Sequence, residues 1–204
     1  MNNNIINKNE SSHKEFPLVE LGENKQNNFS RITKSIKDVL ASLRMTIEEE
    51  NSDNDEFNLI TSHNDGELKV MVYISYKTDH DLISIRAYYG DVPKNKRKKA
   101  AELINLMNIK FIHSRIVMIP NSGDVEIDSE IIIAKWFNPK ELSISLKLLF
   151  ANGSCYFTAI GILMTTNETP VSIIDLLDKG IQKLRNKKKK DFLKTEAGKT
   201  TEVK

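Results

Sequence analysis

Apolar residues in the first third of the chain recur at steps of three and four. Ile32, Ile36, Val39, Leu40, Leu43 and Ile47 form one such stripe. That spacing predicts a helix, opened by Ser30 as N-cap and running to about Glu49. Asn51 to Glu56 is polar and acidic and reads as a loop. Period two then takes over. Phe57 to Thr61 predicts a short strand, and His63-Asn64-Asp65-Gly66 supplies turn residues that tolerate positive φ. Leu68, Val70, Val72, Ile74 and Tyr76 alternate with Lys69, Met71, Tyr73 and Ser75. After Thr78-Asp79-His80-Asp81, the residues Ile83, Ile85, Ala87 and Tyr89 alternate with Leu82, Ser84, Arg86 and Tyr88. Three strands joined by short turns predict an antiparallel meander.

Pro93 marks a helix start, with Ala100, Ala101, Leu103, Ile104 and Met107 on its apolar side and an end near Asn108. Residues 113–119 and 125–134 predict a second hairpin across Pro120 to Asp124. Asn138-Pro139 then gives an N-cap and a first-turn proline, followed by Leu142, Leu146, Leu149 and Phe150 at helical steps. Asn152-Gly153 reads as a helix stop, Ser154 as the cap of another helix, and Thr169-Pro170 as the opening of a last one over 170–186. The order α-βββ-α-ββ-α predicts a single α+β domain, with an antiparallel sheet of about five strands and helices mainly on one face.

Residues 1–28 and 187–204 are poor in apolar side chains and are expected to be a disordered polar arm and a disordered basic tail. Within the arm, Phe16, Leu18, Val19 and Leu21 are the candidates to dock. The ordered part, 29–186, is large enough for one core. No run reaches the roughly 18 apolar residues of a membrane span, and the N-terminus has no apolar core of a secretory signal. A single cysteine, Cys155, excludes an internal disulfide and a Cys-based metal cluster.

Net charge changes the picture more by its distribution than by its sum. The 204-residue chain carries +2, yet from Gly180 onward 9 basic and 3 acidic residues give +6, leaving −4 for the rest. A nucleic-acid-binding domain is more often basic throughout. The pattern is that of a mildly acidic body with a basic appendage.

Candidate chemistry is sparse. Ala197-Gly198-Lys199-Thr200-Thr201 resembles the end of a phosphate-binding loop, but Leu193 stands where the motif needs its first glycine. His13, His63, His80 and His113 share no ligand spacing. The acids Glu48 to Glu50 and Asp53 to Glu56 sit in a polar stretch where water screens them. Asp124, Glu126, Asp128 and Glu130 put an acidic strip on one strand, which suits a basic peptide, a metal, or simply the wet face of a sheet. Cys155 has no base near it in sequence to hold a thiolate. Lys94, Lys96, Arg97, Lys98 and Lys99 crowd a helix start against its dipole, and Lys187 and Lys188 open a second basic run. Either cluster suits an anion; neither has the interleaved aromatics that stack bases. Trp136 and Phe137 precede a helix start, as a hydrophobic staple does or as partner anchors do.

The stretch Leu103 to Asn108, then Ser114 to Ile119, Gly123-Asp124-Val125, Ile131 to Ile133 and the Asn138 to Phe150 helix resembles the YbjN family, described as sensory-transduction regulators of bacteria. The resemblance spans about 30–165. It implies a fold similar to type III secretion chaperones, a cytoplasmic binding or regulatory domain that uses no cofactor, a protein partner or client, and the capacity to form a homodimer. It carries over no catalytic residue. The expectation is a non-enzymatic, chaperone-like or regulatory protein-binding module. Trp136, Phe137, Ile173, Leu177 and Ile181 are its candidate partner contacts. An anionic surface or nucleic acid bound through 94–99 and 187–190 is the alternative.

Overall fold

The computed structural model describes residues 16–53, 55–65 and 68–199, without the side chains of 65, 68, 184 and 188–199. The elements run β1 (Val19–Glu20), α1 (Lys25–Ser42), β2 (Thr46–Ser52), β3 (Glu56–Asp65), β4 (Leu68–Lys77), β5 (Leu82–Asp91) and α2 (Arg97–Asn108). Then follow β6 (Arg115–Met118), β7 (Asp124–Ile132), β8 (Trp136–Phe137), α3 (Pro139–Thr165) and α4 (Pro170–Lys199). Six strands form one antiparallel sheet in the order β2-β3-β4-β5-β7-β6, and β1 pairs with β8 separately. The fold class is α+β, as the periodicities imply.

Alternation along the strands sends one set of side chains into the core. Phe57 and Leu59 on β3, Val70 to Tyr76 on β4, Ile83 to Tyr89 on β5, and Val125, Ile127 and Ile131 on β7 are buried at every second position. Each fully buried side chain of this size contributes roughly 1.5–3 kcal/mol of transfer free energy. The helices cover that face. Ile32, Ile36, Val39 and Leu40 of α1, Leu103 and Met107 of α2, and Leu142, Leu146 and Leu149 of α3 all point into it. Phe29 stacks on Tyr76 at 5.7 Å between centroids, and burial, helped by Asp81, pushes the Tyr76 phenol up to about 12.

Several boundaries differ from expectation. α1 begins at Lys25, four residues after Leu21, and its N-cap is Asn24, whose side chain accepts from the Asn27 amide at 3.1 Å. Ser30 lies inside the helix. Residues 16–28, expected as part of an unstructured arm, instead supply β1 and the first turn of α1, and Val19 is buried beside its strand partner Phe137. α1 stops at Ser42, and Arg44 takes a positive φ of 55° to turn the chain. The acidic stretch expected as a helix end and loop is β2, a sixth strand with every side chain exposed. An edge strand whose two faces are both wet has no apolar alternation to betray it.

α3 is one helix of 27 residues, not two. Asn152-Gly153 does not stop it. A Cβ on Gly153 would lie 1.9 Å from the Tyr89 hydroxyl oxygen, so the glycine admits the tyrosine rather than ending the helix. α4 buries Ile173 and Ile174 against α2 and α3, and Lys110 pairs with Asp178. The helix then continues past residue 187, where a tail was expected, to Lys199. The phosphate-loop-like 197–201 therefore follows a helix, and its residues 200 and 201 lie outside the described residues. α3 also contains a stretch apolar and long enough to cross a bilayer by composition, against the sequence expectation. Its buried row of Leu142, Leu146, Leu149, Tyr156 and Leu163 instead packs into the core.

Candidate partner-binding surface

Among the described residues, the helices leave the second face of the sheet uncovered. Strand register places side chains on it in rows. Ile60, Tyr73, Arg86, Asp128 and Arg115 stand directly opposite one another across β3, β4, β5, β7 and β6. The flanking rows are Asn58, Ser75, Ser84 and Glu130 on one side and Met71, Tyr88, Glu126 and Val117 on the other. Serines at 75 and 84 are short, whereas Tyr73, Arg86 and Tyr88 are long. The height difference leaves a depression of about 490 Å³. Tyr73 is 46% and Tyr88 40% exposed at its edge.

The right-hand side of this face is charged. Arg86 Nε lies 3.2 Å from Glu126 Oε2 and 3.5 Å from Asp128 Oδ1. Arg115 reaches Asp128 Oδ2 at 3.9 Å and Glu130 Oε1 at 4.0 Å. The Tyr88 hydroxyl meets Asp124 Oδ1 at 3.5 Å. The Asp128 side chain is less exposed than those of Glu126 and Glu130, and among the described residues its Oδ1 accepts no hydrogen bond. Burial pushes its pKa up, and Glu130 adds to that; Arg86 and Arg115 pull the other way without overcoming it. The acidic strip expected from the sequence is thus real, but two arginines are threaded through it. Among the described residues no three His, Cys, Asp or Glu side chains converge as metal ligands.

The chain is similar to a chain in the solved "Crystal Structure of the ExsC-ExsE Complex", at 13% identity over 61% of this chain and 89% of that one, with a TM-score of 0.42. A likeness of that degree assigns neither an activity nor a partner. No family model matches the chain, and no curated protein matches it. The resemblance to the YbjN family therefore rests on the residues quoted for it.

The residues singled out from the sequence do not form one site. Phe137 is a core residue, while Trp136 is half-exposed on the opposite side of β8. Ile173 is fully buried, Leu177 half-buried and Ile181 exposed, so α4 uses the first two to dock. Two members of the basic cluster at the start of α2, Lys96 and Arg97, are committed. Arg97 donates from Nε to the Val92 carbonyl at 2.9 Å and from one terminal nitrogen to the carbonyls of Pro120 and Asn121. Its other terminal nitrogen donates to the Ser122 carbonyl. Lys96 Nζ reaches the Leu163 carbonyl at 3.4 Å. Arg97 thus braces a loop through four carbonyls. Lys98, Lys99 and Lys187 are exposed, and the side chain of Lys188 lies outside the described residues.

His63 stacks on Phe150 at 4.3 Å, and the His113 carbonyl accepts from the Ser129 hydroxyl at 2.7 Å. Burial pushes the Cys155 thiol up, as befits a half-buried structural cysteine. Tyr73, Arg86 and Tyr88, which head the open face, are not among the residues that the sequence singles out. The available signal was their position on the outward phase of two central strands, where two tyrosines and an arginine replace the usual short polar residues.

Proposed function

We propose that the chain is a non-enzymatic protein-binding module, chaperone-like or regulatory and of the YbjN type, that receives a polypeptide on the open face of its sheet. One observation carries the reading: a depression of about 490 Å³ edged by Tyr73, Tyr88 and Arg86 on the face the helices leave bare. Tyrosine and arginine are the residues that interfaces concentrate, because they bury large area with a polar handle at the tip. The flanking Glu126, Asp128, Glu130 and Arg115 supply a charged rim that selects register more than it adds affinity.

The test is site-specific photo-crosslinking in the native host. A benzophenone amino acid is placed at Tyr73 or Tyr88, and at Lys34 on the exposed side of α1 as control. Discrete polypeptide adducts from 73 and 88 but not from 34 are expected. Adducts of equal yield from 34, or none from the sheet face, overturn the proposal.

A second reading rests on α4. Lys179, Lys183, Arg185 and Lys187 are all exposed along α4. Such a basic rod suits an anionic surface or nucleic acid. Binding through it would weaken steeply with salt and weaken further on deleting residues 187–204. Salt-insensitive binding would remove this reading.

A further inference from the structure

β6 covers only part of its neighbour β7. The Ile133 amide donates to the Asp81 carbonyl at 2.7 Å, in the register that sets Ile131 opposite Ile83. In an antiparallel ladder the pairs that exchange hydrogen bonds recur at every second residue. Odd-numbered residues at this end of β7 therefore bond to β5, and even-numbered ones turn their N–H and C=O to the other side. There the Ile119 amide donates to the Asp124 carbonyl at 2.8 Å, and Asp128 stands opposite Arg115. Beyond Arg115 the ladder ends, because His113 takes a positive φ of 65° and swings the chain away. Glu130 and Ile132 are left with their N–H and C=O groups on an open edge, where among the described residues no backbone bond reaches them. Ile132 is 80% exposed. So is 69% of Ile112, which lies beside this edge because the next residue, His113, accepts from the Ser129 hydroxyl. Free ladder groups beside bare apolar side chains are a template for one more strand.

We propose that the chain fills this edge itself, with Ile5 and Ile6 of its N-terminal arm as the added strand. Between Met1 and Phe16 these two are the only β-branched residues, the type that strands favour. Consecutive strand residues point to opposite faces. One isoleucine therefore meets Ile132 on the open side of the sheet, and the other turns toward Ile112 on the side where Ser129 points. Charge agrees with the placement. Residues 2–9 carry Lys8 and no acid, and the outward row of β7 is Glu126, Asp128 and Glu130. The arm is also long enough. Phe16 stands three residues before Val19, whose partner Phe137 lies five residues past Ile132. At about 3.4 Å per residue along the strands and about 5 Å across them, that path is at most about 32 Å. The ten residues from Ile6 to Phe16 reach about 33–36 Å. Tethering holds the segment near the edge at an effective concentration on the order of millimolar, which a free peptide must exceed.

Amide hydrogen exchange of the whole chain, read residue by residue by NMR, tests this. The Glu130 and Ile132 amides should exchange at least about tenfold more slowly in the wild type than in an Ile5→Asp/Ile6→Asp variant, because local opening sets the rate. The Ile131 amide, on the β5 side, should be equally slow in both, which shows that the sheet is intact. Cysteine pairing gives a second readout. In a Cys155→Ser background, Ile132→Cys should bridge to Ile5→Cys or Ile6→Cys within one chain on mild oxidation or with a short bis-maleimide. Lys34→Cys, on the exposed side of α1, should bridge to neither. Equal exchange of the 130 and 132 amides in wild type and variant overturns the proposal, whether the edge is then open or covered by something else. A bridge that forms only between two chains, or from neither isoleucine position, overturns it equally.

Discussion

Replacing Gly153 by alanine should destabilise the protein, although alanine is the better helix former. Inside a helix the change ordinarily gains about 1 kcal/mol. Here the new Cβ would stand 1.9 Å from the Tyr89 hydroxyl oxygen, 2.0 Å from Cζ and 2.5 Å from Cε1. Those atoms belong to a ring that is 8% exposed and meets Tyr156 edge-on at 6.4 Å between centroids. The ring cannot retreat without moving its neighbour, so α3 must lift from β5 or Tyr89 must leave its rotamer. Overpacking of this kind costs about 1–3 kcal/mol and more where nothing yields. The net expectation is a loss of at least about 1–2 kcal/mol, read as a lower urea midpoint with unchanged slope. Gly180→Ala is the control: nothing lies within 4 Å of its added Cβ, so that change should stabilise α4. In a Tyr89→Ala background the sign at 153 should reverse, because only the helix propensity then remains. A neutral or stabilising Gly153→Ala in the wild-type background would refute the close approach of α3 and β5.

Arg97→Lys should cost about 1–3 kcal/mol in urea unfolding, since one ammonium cannot span four carbonyls that a planar fork reaches; equal stability would show that the brace is ornamental. Asp128→Asn should stabilise the protein at neutral pH. The folded state raises this carboxyl's pKa, so its ionisation penalises folding fully above the folded value and vanishes below the unfolded one. The gain over wild type should therefore fade as pH falls through the carboxylate range, and a mutant less stable at pH 7 would mean that Arg86 and Arg115 outweigh burial. The Cys155 thiol, pushed up by burial, should react slowly with a disulfide reagent at pH 8 and quickly once urea unfolds the chain; a fast native reaction would contradict its placement in α3.

Where one side of an element is apolar and the other polar, the sequence is easily read. The meander β3 to β5, the outward and inward phases of β7, the apolar side of α2 and the Asn138 cap, which accepts from the Lys140 amide at 3.1 Å, all follow from that contrast. β2 defeats it because both of its sides are wet: Glu48 is held by Lys69 and Ser62, and Glu50 by Lys37. Gly153 defeats it because a helix stop and a close packing contact place the same residue in the same string. The open face defeats it for a third reason. The outward phase of Tyr73, Arg86 and Tyr88 is legible, but the charged rim beside them comes from the strand order that sets β7 next to β5, which lies beyond any local pattern.

Both ends of α2 are fastened to the same hairpin. Arg97 at its start holds the carbonyls of 120–122, and Gly123 there takes a φ of 85° with no room for a side chain against Val92 and Arg97. Asn108 at its end donates to the Ile116 carbonyl at 2.9 Å and accepts from the Ile116 amide at 2.8 Å. Neither tie can close before the helix and the hairpin have met. Residues 92–128 are thereby a single cooperative unit: their amides should open and exchange with solvent hydrogen together, and a lesion at either fastening should loosen the other.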